Sequence, residues 1–200
     1  MALPAYDKTK RKSHGFDQLP KGAYVLKILN AKEAPYKSGS GSCLSIAFDI
    51  AEGEYKDFYK KQFDANTGED KKWPNDAIFR LGIPDDSAPS WKWDGWNTFF
   101  ADLEDSNNGY VFAGDPATLK GKVVGGKFHI EQSEYNGNVY DHTRLKWSCV
   151  AEDVRKGKAG KLPNDKLIGS GSTRRAANNM TDADGFMKIP DSNEEEIPFD

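Results

Sequence analysis

Asn136-Gly137 stands midway in the run LKGKVVGGKFHIEQSEYNGNVYDHTRLKWSCV, and this pair is the preferred one for a two-residue type I′ loop between antiparallel strands. Such a turn sets the register, because Tyr135 must face Asn138 and every later pair follows by counting. Phe128 then opposes Leu145 and Ile130 opposes Thr143, with Trp147 next along, on a face directed at a core. The other face pairs Lys127 with Lys146, His129 with Arg144, Glu131 with His142, and Ser133 with Tyr140. Like charges directly opposed weaken a sheet. Lys127 against Lys146 is accommodated either by side chains splayed into water or by an anionic ligand lying across the ribbon.

Two further strands are legible upstream. Tyr24, Leu26 and Ile28 alternate with Val25, Lys27 and Leu29; Leu44, Ile46, Phe48 and Ile50 alternate with Ser45, Ala47 and Asp49. Between them YKSGSGSC reads as an exposed Gly/Ser loop. After a turn at EGEYKD, the run FYKKQFD (residues 58–64) is expected to be a short third strand, and periodicity is lost over residues 65–90. Trp96, Phe99, Phe100 and Leu103 recur at helical spacing, with Asp94 as N-cap and NNG as stop, which predicts one helix of about ten residues. Strand, strand, strand, helix and hairpin are the parts of a mainly β, five-stranded OB-fold, a Greek-key barrel with its helix in the strand 3–4 insertion. An SH3-like barrel or a small sandwich shares some of these parts. The helix position favours the OB-fold.

Charge is distributed unevenly. Residues 1–180 carry 27 Lys and Arg against 24 Asp and Glu, whereas residues 181–200 carry one Lys against seven acids. A net charge of −3 therefore conceals a mildly basic body and an acidic tail, a pattern of interaction arms. The expected organisation is a flexible basic arm at 1–20 (Lys8, Lys10, Arg11, Lys12), an OB-fold domain at 21–150, a flexible linker at 151–190 and an acidic tip at 191–200. No run approaches the roughly 20 apolar residues of a membrane helix, and the first residues do not read as a secretory signal, so a cytoplasmic protein is expected. Cys43 and Cys149 lie in strand-like runs without metal-ligand spacing and read as buried thiols.

On an OB-fold, loop 1–2 places Tyr36 and Lys37 beside the central groove, the third strand offers Phe58 or Tyr59 with Lys60 or Lys61, and the last hairpin supplies Lys127, Tyr135, Tyr140, Arg144 and Lys146. Trp73, Trp91 and Trp93 stand among lysines in the long insertion, as stacking platforms or as packing under a loop. Small outward residues on the second strand, Ser45 and Ala47, allow close approach, aromatic rings stack on bases, and lysines neutralise phosphates. Against enzymatic chemistry stand three histidines, no Walker, Rossmann or GxSxG loop, and adjacent acids (Glu69-Asp70, Asp85-Asp86) in turn-like stretches. No cofactor or metal is expected.

The terminal residues Glu194, Glu195, Glu196, Ile197, Pro198 and Phe199 resemble the acidic tip of bacterial single-stranded DNA-binding proteins, followed here by one further residue, Asp200. That resemblance implies a docking peptide for replication and repair enzymes. The segments LPKGAYVLKILNAKEAPYKSG, LSIAFDIAEGEYKD, FFADLEDSNNGYVF, LKGKVVGGKFHIEQSEYNGNVY and DVRKGKAGKLPNDK resemble a family of phage and prophage proteins found among replication and recombination genes. It implies sequence-independent binding of single-stranded DNA, without catalysis, in phage DNA replication and recombination. The tail would recruit partner proteins, with no membrane partner; a homo-oligomer is compatible with this reading. The alternative is an OB-fold adaptor that binds proteins and has no affinity for nucleic acid.

Overall fold

The structure, a computed structural model, describes residues 17–36 and 41–169. Lys37, most of the basic arm, the later part of the expected linker and the whole acidic tip lie outside the described residues. Five strands, β1 (Ala23–Pro35), β2 (Ser42–Ile50), β3 (Ile78–Gly82), β4 (Val123–Tyr135) and β5 (Asn138–Cys149), form one antiparallel open sheet in the order β3-β2-β1-β4-β5. Among the described residues three α-helices, α1 (Phe58–Ala65), α2 (Ser90–Ser106) and α3 (Ala151–Arg155), and two short 3-10 helices, Asn75–Ala77 and Pro116–Leu119, accompany it.

The hairpin pairs as its turn dictates. Asn136 and Gly137 both have positive φ, at 51° and 74°, and Tyr135 faces Asn138, Ser133 faces Tyr140, and His129 faces Arg144. The expected Lys127–Lys146 pair is not formed. Lys127 pairs with Trp147 and Phe128 with Leu145, so Lys146 is the extra residue of a β-bulge. The bulge removes the like-charge opposition. It also reverses the alternation, which turns Trp147 outward and leaves it 49% exposed instead of in the core.

Residues 58–64 are helical, not a strand. Phe58, Tyr59, Gln62 and Phe63 sit on one helical stripe, and the Asp49 carboxylate accepts the backbone N–H groups of Tyr59 (2.9 Å) and Lys60 (3.0 Å), satisfying donors that a first turn leaves free. The third strand is the five-residue β3, inside the stretch where no sustained period was legible. α2 begins at Ser90, before the expected Asp94, and runs for 17 residues; it ends at the expected Asn107. Asn107 then donates to the carbonyls of Leu103 and Val123 and accepts from the Val123 N–H, which ties the end of α2 to β4.

The core lies between the sheet and α2. Leu26, Ile28, Leu44, Ile46, Phe48 and Ile50 meet Phe99, Phe100, Leu103, Val124 and Phe128, with Phe48 edge-on to both Phe128 and Tyr59. Cys43 and Cys149 are buried free thiols, and burial raises the Cys149 pKa to about 11. Beyond β5, residues 151–169 fold onto the sheet. Arg155 binds Glu52 at 2.6 Å, and a strap through Asn164–Ile168 runs parallel to β4, exchanging backbone hydrogen bonds between Lys166 and both Ile130 (2.8 Å) and Gln132 (2.9 Å). This strap covers His129, expected on a solvent face but 5% exposed. No helix among the described residues is long and apolar enough to cross a membrane.

Candidate nucleic-acid interface

β1, β2 and β3 together present small and basic side chains on the outer face of the sheet. Leu29 is the extra residue of a second bulge, between the pairs Ile28–Phe48 and Asn30–Ala47. Before it, Leu26 and Ile28 face the core; after it, Ala31 does, and Lys32 turns outward. Three cross-strand rows result on the outer face: Asn30–Ala47–Ile78, Lys32–Ser45–Arg80 and Ala34–Cys43–Gly82. The middle row sets two exposed cations, Lys32 and Arg80, on either side of a hydroxyl. The centre of this face has no bulky side chain, as expected for Ser45 and Ala47.

Aromatic and basic groups cluster at the β3 end of the surface. A Cβ on Gly82 would lie 2.7 Å from the Tyr36 hydroxyl and 3.0 Å from Lys92 Cε, so the bare glycine lets both side chains lie over the last residue of β3. Burial raises the Tyr36 pKa. Trp91, 71% exposed, and Trp93, 40% exposed, stand beside Lys92 in the first turn of α2.

At the other end, α1 stands over the Lys27–Asp49 pair and encloses a cleft of about 570 Å³ with Leu29, Ala51, Lys56, Lys60, Phe63 and Trp73 among its walls. The Trp73 indole N–H donates to the Phe48 carbonyl at 3.2 Å, an edge group of β2 that β3 starts too late to reach. Its ring lies 5.6 Å from that of Phe63, tilted by 42°. Lys60 is ion-paired with Asp64, and Lys61 donates to the Lys56 carbonyl. Tyr59 is only 2% exposed and packed edge-on against Phe48 and Phe58, so neither face of its ring is open to a ligand; Phe58 is half-buried between Tyr55 and Tyr59.

The gap between the edge strands β3 and β5 holds a second cleft, of about 420 Å³, lined by Arg80, Arg144, Lys146 and Lys166 with Asp76 and Glu131. Arg144 is engaged by Asp76 (3.5 Å) and Glu131 (3.4 Å), so its charge is largely compensated. Asp76 also lies 3.2 Å from His142 Nδ1, whose Nε2 is 2.9 Å from Ser133 Oγ. This Asp-His-Ser chain has the order of a hydrolase triad. Neither Ser133 nor His142 lines a cleft described here, and the chain clasps the hairpin to the start of β3. Tyr135 and Tyr140 are exposed near the hairpin tip, and Lys127 stands by Trp147 and Gly160, apart from the Lys32–Arg80 face.

Of the residues read from the sequence, Tyr36, Trp73, Trp91, Trp93, Lys60 and Lys146 border one continuous outer surface. Lys32, Arg80 and Phe63 belong to it without a sequence signal that marks them, and Lys92 joins it as the cation between Trp91 and Trp93. IFRLG does alternate, but over too few residues to stand out, and Lys32 faces outward only because Leu29 is bulged. Comparison with family models and with curated proteins finds no match to this chain.

Proposed function

We propose that this chain binds single-stranded DNA without reading its sequence, using the outer face of β1, β2 and β3. The observation that carries the reading is the row Lys32–Ser45–Arg80, two cations across small residues, bordered by Tyr36, Trp91 and Trp93 at one end and Trp73 and Phe63 at the other. Cations spaced across a smooth sheet neutralise phosphates, and exposed rings stack on any base. The strand order and the helix between β3 and β4 agree with an OB-fold, in which the Asp76 contacts to β5 would stand where the barrel closes. The resemblances to phage replication and recombination proteins and to the bacterial acidic tip support the same reading. On it, the terminal Glu194–Phe199 segment recruits replication partners in the host cytoplasm.

The test is fluorescence anisotropy with labelled oligo-dT and a matched duplex at low and moderate salt. The wild-type chain binds the single strand in preference to the duplex, and affinity falls with salt. The double variant Lys32→Ala/Arg80→Ala weakens binding at least tenfold and lowers the slope of log K against log salt by about 1.4, two single-strand phosphate contacts at about 0.7 each. Equal binding by the variant rejects this face as the site, and no binding to single strands at low salt rejects strand binding and favours a protein-binding adaptor.

A further inference from the structure

We infer that the cleft between α1 and the outer face of β1–β2 is a nucleobase pocket that takes one base out of the bound strand. This inference rests on the strand-binding reading above and assigns a subsite to it. The Lys27–Asp49 pair, at the floor of the cleft, is next along β1–β2 to the core-facing Ile28–Phe48 pair and the outward Asn30–Ala47–Ile78 row, so a strand crossing Lys32 and Arg80 reaches the cleft mouth without leaving the sheet. Trp73, Phe63, Leu29, Ile50 and Ala51 supply its apolar walls, and three lysines and three aspartates, Asp49, Asp57 and Asp64, complete the lining. At about 570 Å³ the cleft lies within the roughly 300–1,000 Å³ range of small-ligand sites.

Two features make the pocket suited to a flat ring. The Trp73 indole is held by its bond to the Phe48 carbonyl and braced by Phe63, so its plane is oriented before any ligand arrives. Leu29, the bulged residue, lies off the sheet's regular alternation and lines the cleft with Trp73. Lys27, Lys56 and Lys60 line it together with Asp49, Asp57 and Asp64, so its charge is balanced and suits an uncharged base better than a phosphate. Lys60 is shared with Asp64, whereas Lys27 and Lys56 make no salt bridge with a described carboxylate. The Asp49 carboxylate already accepts three backbone N–H groups, from Ile50, Tyr59 and Lys60. Little directional hydrogen bonding is left to select one base, so the pocket discriminates weakly among them.

The probe is thymidine, a base without phosphate, titrated into the ¹⁵N-labelled full chain, with the Trp73 indole resonance assigned through Trp73→Phe. Thymidine is expected to shift the Trp73 indole and the amides of Ala51 and Lys60 while leaving Lys32 and Arg80 unmoved. Ala51→Phe, which adds a bulky ring among the cleft's lining residues, abolishes those shifts and weakens oligo-dT binding roughly tenfold, the stacking of one base. No shift at Trp73, or an Ala51→Phe variant with unchanged thymidine shifts and oligo-dT affinity, overturns the pocket; the strand reading then stands or falls on Lys32→Ala/Arg80→Ala alone. A Trp73 resonance that moves on deletion of residues 181–200 and ignores thymidine overturns it too, because the occupant is then the chain's own tail. Thymidine binding with no oligo-dT binding keeps the pocket and rejects the strand reading.

Discussion

The Asp49 carboxylate accepts three backbone N–H groups at once, two of them from the first turn of α1, and it does so from a position 4% exposed on β2. Removing it leaves buried donors without partners, so Asp49→Ala is expected to lower stability by about 2–3 kcal/mol, read as a shifted urea midpoint with an unchanged slope. Burial raises the Asp49 pKa despite those three bonds. A raised carboxyl favours the folded chain when protonated, and that contribution is lost as pH climbs from the ordinary aspartate value through the raised one. Asp49→Asn should therefore flatten that part of the stability profile. At this scale the sequence was a partial guide. Ser45 and Ala47 were legible as small outward residues, because alternation along β2 is unbroken; Tyr59 was misjudged, because Asp49 is ten residues upstream and nothing in FYKKQFD announces a distant cap.

Register along the β4–β5 hairpin was legible from the Asn136-Gly137 turn as far as Phe128 and then failed by one residue at Lys146. A bulge has no strong sequence signature, and each of the two here redirects the side chains beyond it: Lys32 onto the outer face, Trp147 away from the core. α1 and β3 are illegible for a different reason, since each is short and is held by contacts made elsewhere, α1 by Asp49 and β3 by pairing with β2 and by Phe79 against Phe99 of α2. The strap along β4 is held in the same non-local way. A hydrogen bond from Lys166 lowers the Glu131 pKa, and one from Lys21 lowers that of Asp165. Lowered carboxyls contribute stability above their ordinary values and lose it as pH falls through the lowered ones. Acidification below about pH 4 should thus release the strap before the sheet, as a loss of exchange protection at the Lys166 and Gln132 amides while β2 stays protected. Parallel loss in both elements would contradict the assignment.

Across the whole molecule, the proposed surface is continuous from the cleft under α1, over Lys32 and Arg80, to Tyr36 and Lys92, although its residues come from five separate stretches of chain. Its basic character was legible only in outline, through the contrast between residues 1–180 and the seven acids of residues 181–200. On the strand-binding proposal, a tethered tail of that charge would compete with phosphates at an effective concentration on the order of millimolar. Deleting residues 181–200 should tighten oligo-dT binding, most at low salt, in a direct titration of the truncated and full chains; unchanged affinity removes the tail from any such competition. On the proposed reading the strand lies on β1, β2 and β3. Amide shift mapping of the full chain with oligo-dT is the decisive measurement: the largest shifts are expected at Lys32, Ser45, Ala47 and Arg80, and shifts confined to the Tyr135–Tyr140 hairpin tip, or none at saturating oligonucleotide, would contradict that placement.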